Sequence, residues 1–95
     1  MIIRIVRMDL LPEKVDDFIE IFDRTKEAIR NTQGCSHLEL LRDADNEHVF
    51  STLSHWADKS SLEAYRNSEL FKNVWARVKP LFKKPTEAFS LEKFK

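Results

Sequence analysis

The spacing of apolar residues changes along this chain, and each spacing predicts a secondary-structure element. Residues 2–10 are short and rich in β-branched side chains, which predicts a strand. Apolar residues occur at both odd and even positions of that segment, as in a strand that is covered on both faces. A helix of roughly five turns is predicted to begin near Pro12 and to run toward Arg30, with Gly34 closing the connection that follows. The apolar stripe of this helix consists of Val15, Phe18, Ile19, Phe22 and Ile29.

The middle of the chain predicts a β-hairpin. Residues 35–42 and 48–56 form two extended runs on either side of the segment DADNE, whose Asp and Asn residues favour a turn. Side chains along a strand point alternately to its two faces, so the second run has two distinct sides. One side carries Phe50, Thr52, Ser54 and Trp56, and the other carries Val49, Ser51, Leu53 and His55.

The last third of the chain predicts a broken helix and a closing strand. A short helix follows Trp56 and is capped by either Asp58 or Ser60. A second helix begins at Ser68 and is expected to end at Pro80, which lacks a backbone donor. Residues 86–94 then predict a final strand.

The order β-α-β-β-α-β predicts an α+β fold of the ferredoxin-like type, with one antiparallel sheet and the helices on one face. The length suits one domain, so we expect residues 1–95 to form a single domain. Because the strands carry apolar residues on both sides, the uncovered sheet face is expected to meet the same face of a second copy. The predicted assembly is therefore a homodimer joined sheet to sheet.

Composition and charge narrow the range of partners. Hydrophobic residues make up 42% of the chain and include seven Phe and two Trp, which is rich for one small core. Lys plus Arg and Asp plus Glu both number 16, and a net charge of zero argues against general nucleic-acid binding. Arg4 and Arg7 interrupt the apolar N-terminus, and Cys35 is the only cysteine. We therefore expect no signal peptide, membrane segment or disulfide, and a cytoplasmic location.

The three histidines are the first candidates for chemistry. Their positions, 37, 48 and 55, match no compact ligand spacing, so no metal site is expected. His55 is predicted to lie on the sheet face away from the helices, in the barrel or at the dimer interface, whereas His48 lies beside the turn. His37 is the candidate base, because imidazole is a suitable acceptor for a phenolic proton near neutral pH.

Two segments carry a family resemblance. GCSHLELLRD and VFSTLSHWADKSSLEAYRNSELF resemble the antibiotic biosynthesis monooxygenase domain of the dimeric α+β barrel superfamily, and the resemblance spans roughly residues 2–94. The shared pattern is a Gly-Cys strand start, a Trp ending the third strand and Ser-x-x-Phe opening the last helix. It implies a homodimer in which two sheets form a barrel. Some members oxidise phenolic or quinol-type substrates with O₂ and no bound cofactor, and others degrade heme.

The resemblance is carried over residue by residue. Trp56 matches a Trp that lines the pocket of the cofactor-free oxygenases, whereas Thr52 stands where they use an Asn. The heme degraders combine an Asn, a Trp and a His, and this chain has Val6, Tyr65 and Trp75 at those positions. Without the helical His the iron of a heme has no evident axial ligand. Heme degradation is therefore disfavoured, and no cofactor is expected.

The sequence leaves two functions open. In the first, the protein is a cofactor-free monooxygenase of small aromatic substrates, with His37 as base and Tyr65 or Thr52 as donor. The expected substrate-binding walls are Phe22, Phe50, Trp56, Phe71 and Trp75. In the second, the protein is a non-catalytic ligand-binding or structural homodimer, and Trp56 with its aromatic neighbours is simply core. An open cavity with a polar group favours the first, and a filled seam favours the second. An RNA-recognition domain is rejected, because HVFSTLSHW lacks its basic and aromatic platform.

Overall fold

Four strands form one antiparallel sheet that is covered by helices on a single face, as the sequence predicts. The structure, a computed structural model, describes residues 1–95. The strands are β1 (Ile2–Asp9), β2 (Cys35–Arg42), β3 (Val49–Trp56) and β4 (Glu87–Glu92), and the helices are α1 (Val15–Arg30), α2 (Lys59–Arg66) and α3 (Glu69–Val78). None of the three helices combines the length and the apolar character that crossing a bilayer requires.

The strand order is β2-β3-β1-β4, which is the ferredoxin-like arrangement. β1 lies inside the sheet and pairs antiparallel with both β3 and β4. The register with β3 places Ile2 opposite Trp56 and Met8 opposite Phe50. The predicted strand and helix order, and the face assignment of the hairpin, are therefore confirmed.

Local capping explains where the last two helices begin. The Asp58 carboxylate accepts a hydrogen bond from the backbone N–H of Ser61 at 2.7 Å, so Asp58 is the cap of α2. Ser60, the alternative cap, instead donates its hydroxyl to Asp58 at 2.9 Å. Ser68 caps α3 by accepting from the N–H of Phe71 at 3.1 Å. The α-helix ends at Val78, and Pro80 lies in the 3₁₀ turn that follows, Lys79–Leu81.

The two faces of the sheet differ in what covers them. The larger core cluster lies under the helices and consists of Met8, Leu10, Phe18, Phe50, Val78 and Leu81, while Ile2, Trp56 and Leu62 form a smaller one. The face opposite the helices, which we call the open face, carries Ile3, Ile5, Leu53, Phe89 and Leu91 side by side across three strands. Phe89 and Leu91 are each 49% exposed. A single protomer thus leaves an apolar patch of the sheet uncovered.

Candidate active site

A cavity of about 340 Å³ lies between the helix-facing side of the sheet and the three helices. Most of its lining is apolar and is supplied by every layer around it: Val6 and Met8 from β1, Phe22 and Ile29 from α1, and Val74 from α3. At the β4 edge the lining includes Ala88, which is exposed, so the cavity is open to solvent there. A volume of this size is within the usual range for small-molecule sites.

A row of aromatic rings forms one wall. The ring centroids of Tyr65 and Phe71 lie 5.3 Å apart edge to face, and those of Phe71 and Trp75 lie 5.7 Å apart with nearly parallel planes. Edge-to-face and stacked pairs at these separations are favourable ring arrangements. The row therefore gives this side of the cavity an apolar, aromatic surface.

The structure brings together five of the residues that the sequence predicts for the site. Those lining the cavity are Phe22, Thr52, Tyr65, Phe71 and Trp75. Phe50 and Trp56 lie behind the wall instead and are buried in the two core clusters. The Trp56 ring stacks on Tyr65 at 4.9 Å and its indole N–H donates to the Ser54 hydroxyl at 3.0 Å, so Trp56 supports the wall as a core residue.

His37 lies outside the cavity. The strand register pairs His37 with His55, and these two imidazole rings are 4.9 Å apart on the open face. The Nε2 atom of His37 is 3.3 Å from a carboxylate oxygen of Glu39, two residues along the same face. The whole thickness of the sheet separates His37 from a ligand under the helices. The predicted role of His37 as the base therefore does not fit this cavity.

Tyr65 is the polar group best placed within the aromatic wall. Burial raises the pKa of the Tyr65 phenol to about 12, with a smaller contribution from Cys35. The phenol is therefore protonated at neutral pH and acts as a hydrogen-bond donor rather than as a base. Thr52 adds a second hydroxyl, and the Thr25 hydroxyl is already committed to the backbone carbonyl of Ile21 at 2.8 Å.

Two arginines are the only charged residues of the lining, and the sequence analysis did not select either of them for the site. Arg4 projects from β1 on the helix-facing side, and one of its guanidinium N–H groups donates to the Ser90 hydroxyl at 2.9 Å. Burial lowers the pKa of Arg4, the nearby charge of Arg66 lowers it further, and Glu63 opposes both effects. Arg4 is still a cation at neutral pH, because a guanidinium titrates far above it.

The lining contains no imidazole, carboxylate or thiol. Its only sulfur is the thioether of Met8, so the usual histidine or thiolate ligand of a heme iron is missing from the cavity. Three or more His, Cys, Asp or Glu side chains nowhere come together in a way that would hold a metal ion. The residues present therefore do not fit heme.

Comparison with known proteins identifies the fold. A family profile described as antibiotic biosynthesis monooxygenase matches residues 1–77. A conserved protein from Methanosarcina mazei Go1 superposes with a TM-score of 0.92 at 25% identity, covering 99% of this chain and 94% of that one.

Two other solved structures share the fold at lower identity. An antibiotic biosynthesis monooxygenase has a TM-score of 0.92 at 17% identity and full coverage of both chains, that is 100% and 100%. The Mycobacterium tuberculosis protein Rv0793 has a TM-score of 0.90 at 20% identity, covering 99% of this chain and 95% of that one. Among curated protein sequences, none matches this chain.

Proposed function

This chain belongs to the antibiotic biosynthesis monooxygenase family, and from that premise we propose that it is a cofactor-independent monooxygenase of a small phenol- or quinol-type aromatic. In such a reaction one oxygen atom of O₂ enters the substrate ring and the other leaves as water. The substrate itself supplies the electrons, and it loses two hydrogens as it becomes a quinone. Family membership and the open, aromatic-walled cavity support this proposal.

The cavity offers two of the three features that the reaction needs. O₂ reacts slowly with closed-shell molecules because its ground state is a triplet, but an electron-rich phenolate can transfer an electron to it. A mostly apolar cavity excludes water and strengthens the interactions that stabilise this anion. In this proposal the protonated Tyr65 phenol and the Thr52 hydroxyl, both in the cavity lining, donate hydrogen bonds to the anionic oxygen.

The third feature, a base, is not supplied by the lining. No residue of the cavity accepts a proton at neutral pH, and His37 faces the other side of the sheet. We infer that the phenolic proton leaves to solvent through the opening at the β4 edge. Turnover should then rise with pH as the substrate ionises, and it should follow the pKa of each substrate used.

Oxygen uptake tests the proposal directly. An oxygen electrode and a panel of quinols and polyphenols are used with the wild-type chain, Tyr65→Phe and His37→Ala. We expect uptake above buffer for at least one compound, a decrease of about tenfold or more in Tyr65→Phe, as for loss of an anion-stabilising donor, and no change in His37→Ala. Absence of uptake with every compound would overturn the monooxygenase proposal. Loss of uptake in His37→Ala alone would refute the assignment of the chemistry to this cavity.

We further propose that the protein is a homodimer joined through the open face, forming a barrel from two sheets around a single domain per protomer. The exposure of Phe89 and Leu91, on the edge strand β4 of this apolar face, supports the proposal. Sedimentation at micromolar concentration is expected to give twice the chain mass of 11.3 kDa.

Two variants test which surface joins the protomers. We expect Phe89→Glu to dissociate the dimer, because it places a charge in the apolar interface. Phe94→Glu makes the same change at a terminal position that is already 93% exposed, so it should remain dimeric. A stable monomer of the wild-type chain, or equal behaviour of the two variants, would contradict the interface.

A second function, ligand binding without catalysis, is favoured by one observation: the lining lacks a base. Binding of a phenol without oxygen uptake would identify this function. It would leave the cavity, the aromatic wall and the Tyr65 donor with the same roles in recognition.

A further inference from the structure

We propose that the natural ligand of the cavity is an aromatic acid, whose carboxylate is held by Arg4 and Arg66 while its ring lies against the aromatic wall. This inference rests on the proposed use of the cavity for aromatic molecules and adds the class of substituent that they carry. It makes Arg4 and Arg66 determinants of specificity.

The distribution of charge in the lining is one-sided. Of nineteen lining residues fourteen are hydrophobic, and the only two with a formal charge are Arg4 and Arg66. Across the whole chain acidic and basic residues are equal in number, so the excess of positive charge is a local property of this cavity. An apolar site with a few fixed charges orients a ligand through its oppositely charged group.

Arg4 lacks an acidic partner. Its side chain hydrogen-bonds only the neutral hydroxyl of Ser90, and no carboxylate lies within salt-bridge distance of it. Arg24 and Arg30, by contrast, each pair with a glutamate at 2.7 Å. The charge of nearby Glu63 only partly offsets the effects of burial and of Arg66 on Arg4. A partly buried cation with no carboxylate in direct contact carries a desolvation cost, and an anionic ligand group reduces that cost by pairing with it.

Arg66 supplies the second contact from a helix rather than from the sheet. It projects from α2, one residue after Tyr65, whereas Arg4 projects from the sheet. Its own partner is Glu63, an exposed residue one helical turn away at 3.5 Å. Exposed pairs of this kind are weak, so Arg66 can turn to a ligand at little cost.

The positions of these groups define how the ligand lies. Ala88 and Thr86 of the lining place the opening at the β4 edge, and Arg4 hydrogen-bonds to a β4 residue at the same edge. Tyr65 and Phe71, which also line the cavity, are less exposed than Ala88. A carboxylate at the opening and a ring farther in match this gradient from charged to apolar lining.

Calorimetric titration with two compounds of matched shape tests the inference. 3-Hydroxy-2-naphthoate carries a carboxylate, and 3-hydroxy-2-naphthamide is its neutral counterpart with the same ring and phenol. We expect the acid to bind about tenfold to a hundredfold more tightly than the amide, as a charge-assisted hydrogen bond predicts. Added salt should weaken binding of the acid and leave the amide unaffected.

Arginine variants identify the groups responsible. Arg4→Gln and Arg66→Gln should each lower the affinity for the acid by about tenfold and leave the affinity for the amide unchanged. Because Arg66 is exposed on the helix surface, Arg66→Gln should fold, and it tests the inference even if Arg4→Gln does not fold. Arg77→Gln removes the same charge from an exposed position of α3 outside the lining, and it should bind both compounds as the wild type does.

The outcomes separate this inference from the proposed function. Equal binding of acid and amide, insensitive to Arg4→Gln and Arg66→Gln, overturns the inference while the cavity remains an aromatic site. Binding of neither compound overturns it as well. Selective binding of the acid that is lost in the arginine variants supports it, whether or not the bound acid consumes oxygen.

Discussion

Replacing Gly34 by alanine should destabilise the connection that positions α2 against the sheet. Gly34 has a φ of +87°, in the left-handed region where side chains other than hydrogen are strained. A Cβ atom built there would lie 2.4 Å from both the Cβ and the Oγ of Ser61. Ser61 belongs to the helix that also carries Leu62 and Tyr65 of the cavity lining. The substitution therefore combines a backbone effect with a collision at the site.

The two effects have separate magnitudes. Left-handed backbone costs about 1–2 kcal/mol for a residue with a Cβ. Forcing an extra carbon into a filled space typically costs a further 1–3 kcal/mol, roughly as for overpacked cores. The alanine also restricts the unfolded chain, which offsets about 0.4–1 kcal/mol. We expect Gly34→Ala to lower the free energy of unfolding by about 2–4 kcal/mol in total.

A double-mutant cycle with Ser61→Gly separates these contributions. Urea denaturation followed by far-UV circular dichroism gives the free energy of unfolding for the wild type, both single variants and the double variant. Ser61→Gly removes the colliding atoms, so Gly34→Ala should cost about 1–3 kcal/mol less in that background. The left-handed penalty should remain. A cost below about 0.5 kcal/mol for Gly34→Ala, or no coupling to Ser61, would refute the reasoning.

Three further perturbations have defined outcomes. Ser68→Ala removes the α3 cap and should lower the free energy of unfolding in urea by about 1 kcal/mol; an unchanged midpoint would argue against the cap. Ser54→Ala deprives the buried Trp56 N–H of its acceptor and should lower the free energy of unfolding by about 1–3 kcal/mol. Thr32→Ala is the control and should have a smaller effect, because the partly exposed Thr32 hydroxyl bonds only to the backbone carbonyl of Ala28, one helical turn away. The pKa of Tyr65 is raised from 10.0 to about 12 in the folded state, so stability is retained below pH 10 and lost as the pH rises from 10 to 12. The loss should reach up to about 3 kcal/mol and should be absent in Tyr65→Phe. The same dependence of the free energy of unfolding on alkaline pH in the wild type and in Tyr65→Phe would contradict it.

The fold was predictable because local signals agree with one another. Pro12, Gly34 and Pro80 stand at helix or loop boundaries, and the apolar period between them is unambiguous. The alternation along 48–56 also assigned its two faces correctly, because successive side chains of a regularly paired strand point to opposite faces of the sheet. What remained undecided was the cap of α2, since Asp58 and Ser60 both have suitable side chains and only the geometry selects Asp58.

The site was less predictable, and the reasons lie in the sheet. His37 is a plausible base by chemistry, but its position relative to Trp56 depends on an irregularity in the β2–β3 pairing between Cys35 and His37. In the sequence, Arg4 stands out only as an interruption of an apolar segment. It shares the parity of Ile2, Val6 and Met8, so strict alternation along β1 would have placed it under the helices. That the cavity lies around Arg4 follows from packing alone.

The alternation along β1 divides the strand between two tasks. Arg4 and Val6 line the cavity, while Ile3 and Ile5, directly beside them in the chain, lie on the open face. A substitution at an even position alters the cavity lining, which we propose binds the ligand. One at an odd position alters the open face, which we propose joins the protomers. Selection can therefore alter one trait and conserve the other within a stretch of four residues, whereas inserting or deleting a single residue there would disrupt both at once.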